Sequence, residues 1–310
     1  MNEPGHHEAM STSPLMPAPE ACSTSAEPAR DPRQPSAAAP AAAPAAAPAA
    51  APAAAPAAAP AAAPAAAPAA ATDSARASAA ASPAPRIAVV IGTGGIGGAL
   101  AEALRSAAEY DEVVVLGRRS TPALDLLDEA SIAAAARWLA ARGAPELVID
   151  ATGILHGPAM APEKSWRELD PATLAQAFAI NAIGPALLMK HFLPLLPRDR
   201  RAVFATLSAK VGSIGDNRLG GWYAYRASKA ALNQLVRTAS VELRRSRPQA
   251  ICVALHPGTV DTGLSAPFAK SGLQVQAPAL AAQRLLTVLA GLKAEDSGEF
   301  FDYRGERLPW

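Results

Sequence analysis

Residues 86–91, RIAVVI, run without a break into Gly92-Thr93-Gly94-Gly95-Ile96-Gly97-Gly98 and then into ALAEALRSAAEY. A short apolar run reads as a buried strand, the glycines as a turn, and the leucine and alanine spacing behind them as a helix. This strand, turn and helix limit the fold more than any other feature. A strand apolar on both faces has to be covered on both, which is the situation of a parallel sheet between helical layers. Further apolar runs predict strands over residues 113–116, 147–151, 202–207, 251–255 and 300–303, with a weaker one near 123–125. Helical patterns separate them. The expectation is an α/β fold: a Rossmann-type, doubly wound parallel sheet of about seven strands in a single domain over residues 86–310, with ligands at the carboxyl ends of the strands.

Residues 1–85 have a different texture. From Pro40 to Pro68 a proline recurs every fourth residue with three alanines between. Such an array has no side chains to build a core, and each proline removes a donor and clashes with the preceding turn, so a disordered, extended arm is expected. At roughly 3.1 Å per residue it would span about 90 Å. A spacer, an unselected extension and a start codon assigned too far upstream are all compatible with it.

The formal net charge of +1 gives no sign of a nucleic-acid groove or an anionic membrane as partner; a small molecule fits better. Cys22 and Cys252 form neither a zinc spacing nor a disulfide framework, so no metal is expected, and the N-terminus lacks the pattern of a secretory signal. A cytoplasmic location is the default. The apolar stretch 178–196 carries Asn181, Lys190, His191, Pro185 and Pro194, which reads as a buried helix rather than a span.

Glycines at Gly92, Gly94, Gly95 and Gly97 let a pyrophosphate reach backbone amides at the positive end of the following helix, with Thr93 and Ile96 completing the loop. The second strand ends in Arg118-Arg119, where an NAD site would usually place a carboxylate. Two guanidinium groups suit a 2′-phosphate, so NADP(H) is favoured and NAD(H) stays open. Further along, Tyr225 and Lys229 stand four apart in a helical pattern and so share a face. A neighbouring ammonium favours the phenolate, which eases proton exchange with an alcohol or carbonyl oxygen.

The glycine loop followed by Tyr225 and Lys229, in this order, resembles the short-chain dehydrogenase/reductase family over essentially residues 86–310. Asp150-Ala151-Thr152-Gly153 is similar to that family's N-N-A-G loop, which implies cofactor contacts from Ala151, Thr152 and Gly153. Asn181 resembles the helix asparagine that holds a water of the proton relay. Pro257, Gly258, Val260 and Thr262 resemble the P-G-x-x-x-T segment that meets the nicotinamide. Asp125, with Leu126 beside it, resembles the adenine-side aspartate; a helix cap explains it equally well. The family's substrate-orienting serine corresponds to Ser208, one position early, with Ser213 as the other candidate. The family's usual loop has three residues between its first two glycines, whereas here only Thr93 and Gly94 separate Gly92 from Gly95; Gly92, Gly95 and Gly98 also satisfy the G-x-x-G-x-x-G form of sugar-nucleotide-modifying relatives. The connection VGSIGDNRLGGWYAYRASKAALN and the ending GEFFDYRGERLPW resemble a subgroup holding carbonyl reductases and a bacterial developmental signalling protein. The resemblance implies an NADP(H)-dependent oxidoreductase acting on a small carbonyl or alcohol, with Tyr225, Lys229, Ser208 and Asn181 catalytic and a homo-oligomer possible. A signalling or scaffold protein that binds the dinucleotide with little turnover is the alternative.

Overall fold

The computed structural model describes residues 84–158, 160–268 and 274–310; the arm expected over 1–85 lies, apart from its last two residues, outside them. Strands β1 (Ile87–Ile91), β2 (Glu112–Leu116), β3 (Pro145–Asp150), β4 (Ala202–Leu207), β5 (Ala250–His256) and β8 (Phe300–Asp302) form one parallel sheet in the order β2-β1-β3-β4-β5-β8. β6 (Thr259–Val260) and β7 (Val275–Gln276) pair separately, also in parallel. The chain steps from β1 to β2 on one side and returns to place β3 on the other, so the direction of winding reverses between β1 and β3. A crevice opens outside the carboxyl ends of strands at such a reversal.

Alternate residues of each strand feed two cores. Val89, Ile91, Val148, Phe204 and Cys252 face helices α2 (Glu129–Ala140), α4 (Gly184–Phe192) and α5 (Tyr223–Ser246). Ala88, Val90, Ile149, Val203 and Val253 face α1 (Gly95–Ala107) and α6 (Pro278–Gly291). This period of two explains the continuous apolar runs, because both faces of the sheet are dry.

The weak strand expected near residues 123–125 does not form, and among the described residues the main sheet has six strands. After β2 the chain turns back, the Leu124 N–H donates to the Gly117 carbonyl at 3.0 Å, and the Leu124 side chain drops into the α2 core. Backbone polar groups satisfied by that turn are not free for a ladder. The helix cap suggested for Asp125 is likewise not made. Asp128 caps α2 by accepting from Ala130 N, whereas Asp125 Oδ1 accepts from Leu127 N at 3.0 Å in a local turn. Leu126 packs against Gly184, where a Cβ would come within 2.8 Å of it.

Between α3 (Pro171–Phe178) and α4 the helix takes one π turn, Ala179–Ile183. The stretch Pro171–Leu195 is long and apolar enough to cross a membrane by length and composition. Its Leu188, Met189 and Phe192 are spent on the core against α2 and the sheet.

Candidate active site

The phosphate loop is shaped by close approach. Gly92 has φ +105°, and a Cβ on Gly97 would stand 2.1 Å from the Gly92 carbonyl oxygen, so neither position admits a side chain. Thr93, Gly94 and Gly95 are exposed, Ile96 is half-buried, and α1 begins with no side-chain cap and no acidic residue in its first turn. Among the described residues no side chain caps its first amides, which fits an anionic diphosphate at this end. Thr262 lies against the loop: its Cγ2 would meet a Cβ on Gly95 at 2.7 Å. Pro257, Gly258, Val260 and Thr262 line one wall of a cavity of about 400 Å³ that Ile96, Ser208 and Tyr225 also line. Arg118 and Arg119, past β2, are both exposed, and neither makes an ion pair among the described residues.

Tyr225 and Lys229 stand on α5, and the start of that helix decides where they point. Gly220 and Gly221 at φ +64° and Trp222 at φ +54° turn the chain sharply. Trp222 offers no side-chain cap; the buried Glu163, 61 residues earlier, accepts from Ala224 N through both carboxylate oxygens at 3.2 Å. An anion at a helix N-terminus both satisfies an orphan amide and complements the dipole. Tyr225 follows one residue later and is buried against Leu155 and Ala209. Burial pushes its phenol up to about 12, so the group is protonated at neutral pH. The Lys229 ammonium lies 6.0 Å from the centre of the Tyr225 ring and donates to the Leu207 carbonyl at 2.8 Å. Burial lowers its pKa to about 8, while the charge of Asp150 acts the other way.

Asp150, at the end of β3, is wholly buried and its own pKa is raised by that burial. Its carboxylate accepts from Thr152 N at 3.0 Å, Thr152 Oγ1 at 2.6 Å and Thr206 Oγ1 at 2.7 Å. These bonds fix the turn Ala151-Thr152-Gly153 beside Gly92. Asn181 sits in the π turn with its amide spent: Oδ1 accepts from Ile154 N at 2.8 Å, and Nδ2 donates to the Ile154 carbonyl and to Ser228 Oγ. A Cβ on Gly153 would lie 3.3 Å from Asn181 Oδ1 and 3.4 Å from Lys229 Nζ, so the two residues flank the same loop.

Of the two serines, Ser208 directly follows β4 and lines the cavity, but its hydroxyl donates to Asn233 Oδ1 at 2.7 Å. Ser213 is turned toward the C-terminus, its hydroxyl donating to the Trp310 carbonyl at 3.3 Å. Ala209 occupies the place against Tyr225. Leu155, Leu219, Trp222 and Leu264 give the cavity its apolar walls. Ile154 packs instead with Met160. A larger cleft of about 930 Å³ between α1 and α6 lies at the amino ends of the strands and holds none of the expected site residues.

Sequence reasoning missed Glu163, Asn233 and His256, all of which touch this site. Asn233 follows Lys229 by four residues, so helical spacing was the signal for it. Glu163 reaches α5 only through the tertiary fold.

This arrangement is that of a dinucleotide oxidoreductase, and the chain belongs to the short-chain dehydrogenase/reductase family: residues 99–288 match the family model described as enoyl-(acyl carrier protein) reductase. It is similar to the C-signal of Myxococcus xanthus, 41% identical over 144 residues that make 46% of this chain and 82% of that protein. It is also similar to the 1-hydroxy-2-glutathionyl-2-methyl-3-butene dehydrogenase of Rhodococcus sp. (strain AD45), 30% identical over 199 residues, 64% of this chain and 84% of that one. Among solved structures, the NADPH-bound carbonyl reductase from chicken fatty liver superposes with a TM-score of 0.64 at 26% identity, covering 73% of this chain and 94% of the other. The protein is an NAD(P)-dependent oxidoreductase that binds a nicotinamide cofactor.

Proposed function

We propose that the protein interconverts a small carbonyl compound and its alcohol with NADP(H), using Tyr225 for the proton and Lys229 to support it. The observation that carries this is the shared face of α5, which sets the Lys229 ammonium 6.0 Å from the ring of Tyr225, a protonated phenol that lines the cavity at the carboxyl ends of the strands. The bound nicotinamide supplies or accepts the hydride. Tyr225 gives its proton to the carbonyl oxygen as the carbon is reduced, and takes one back in alcohol oxidation. The Lys229 charge lowers the cost of the phenolate left behind. With the Asn181 amide committed to Ile154 and Ser228, a relay water would meet this residue through the backbone of the π turn. Ser208 can reach the substrate oxygen only by turning from Asn233. Gly92 to Gly97, Thr152, Gly153 and the 257–262 segment would hold the dinucleotide.

Arg118 and Arg119 support NADP(H), since two unpaired guanidinium groups past β2 can meet a 2′-phosphate. The purified protein should oxidise NADPH in the presence of a panel of aldehydes and ketones. Replacing both arginines with alanine should weaken NADPH by about tenfold or more and leave NADH nearly unchanged; equal losses for both would contradict the cofactor preference. The likeness to the C-signal supports a second reading, a dinucleotide-binding signalling protein with little turnover. Tight NADPH binding with no carbonyl reduced would favour it. We place either activity in the cytoplasm.

A further inference from the structure

A carbonyl oxygen beside Tyr225 needs a second donor, because charge develops on it as hydride arrives at the carbon. The obvious groups are committed. Ser208 gives its hydrogen to Asn233 Oδ1 at 2.7 Å, Ser213 points to Trp310, and the residue packed on Tyr225 is Ala209, a methyl.

His256 is not committed. It ends β5, in register with Asp302 of β8, and follows Leu255, whose carbonyl accepts the Ser208 N–H at 2.7 Å. Ser208 and His256 are thus neighbours across β4 and β5 at the carboxyl edge, and both line the cavity with Tyr225. Among the described residues, Nδ1 of His256 is sealed in protein with no hydrogen-bond partner, and Nε2 is not sealed. A bare lone pair is tolerated in an interior more readily than a bare N–H, which puts the ring proton on Nε2. Burial pushes the imidazole pKa down to about 4, against Asp302 and with the help of Lys210, so the ring is neutral in ordinary buffers. A neutral ring protonated on Nε2 offers one donor and no charge.

We propose that His256, through Nε2–H, is the second hydrogen-bond donor to the substrate oxygen, in the part that the family resemblance gives to serine. This rests on the carbonyl-reducing reading above. The proton that completes the alcohol still comes from Tyr225; His256 keeps its own and holds the oxygen in place.

The test uses the full chain with NADPH and 4-nitrobenzaldehyde as the probe. His256→Phe keeps a ring and removes the donor, and should lower kcat about a hundredfold while NADPH affinity stays within about twofold. His256→Gln, whose amide reaches toward the Nε2 position, should recover most of the loss. His256→Asn is smaller, fits the same space and falls short of that position, so it should repeat the loss even if the phenylalanine variant does not fold. Wild-type kcat in His256→Phe or His256→Asn would overturn the assignment. So would a His256→Gln as impaired as the other two. An inert wild type that binds NADPH, or a Tyr225→Phe as active as wild type, would bring down the carbonyl-reducing reading and this inference with it. Inactive Tyr225→Phe beside unimpaired His256→Phe would remove His256 alone.

Discussion

Lys229 is held by opposing influences, burial that disfavours its charge and the buried Asp150 carboxylate that favours it. Below its pKa of about 8 the ammonium is present to support Tyr225; above it the support is lost. The dependence of kcat/KM on pH reports the groups of the free enzyme, so carbonyl reduction should hold level up to about pH 8 and fall beyond it. Asp150→Asn removes the charge that raises Lys229, and the alkaline limb should move to lower pH. A limb that stays in place, or moves up, would show that Asp150 does not act on the lysine. The Tyr225 and Lys229 pair was legible in the sequence because a spacing of four and the order of the motifs are both linear properties. The work of Asp150 was not, because one of its donors, Thr206, comes from 56 residues away on the next strand. His256 was equally hidden, since a nitrogen without a partner exists only in the folded chain.

Among the elements, α5 carries most of the chemistry and does not cap itself. Glu163 supplies the cap from a distant loop, and its carboxylate is bonded one residue before Tyr225. Glu163→Ala should cost about 1 kcal/mol of stability, as loss of an N-cap does, and should also lower kcat by loosening the first turn. Thermal unfolding together with steady-state rates checks both; an unchanged kcat would mean that Glu163 stabilises without positioning. Five strands of the main sheet could be read to within a residue or two because they are apolar on both faces, and β8 because it follows a turn. The segment 123–125 misled because alternation over three residues also suits a turn that buries one leucine. β6 and β7, two residues each, carry no periodic signal at all.

For the whole molecule, two apolar layers clamp one sheet, and the site sits where that sheet's winding reverses. Phe204 is fully buried in the layer shared with α2, α4 and α5, and its strand leads directly into Ser208. Phe204→Ala should destabilise the fold by about 3–5 kcal/mol, read from denaturant unfolding. A loss below about 1 kcal/mol would mean that this layer does not carry the sheet. The fold class was readable from composition and alternation, since cover on both faces is the one arrangement those strands permit. The contacts inside the crevice were not, because they join β3, β4, β5 and α5 across large separations in the chain.

The central claim is that the Tyr225 hydroxyl delivers the proton. Its most direct test is the kcat of Tyr225→Phe for NADPH-dependent aldehyde reduction, measured beside its affinity for NADPH. The account predicts a fall of about 10³-fold or more with cofactor affinity nearly intact. A phenylalanine variant that turns over like wild type would contradict it.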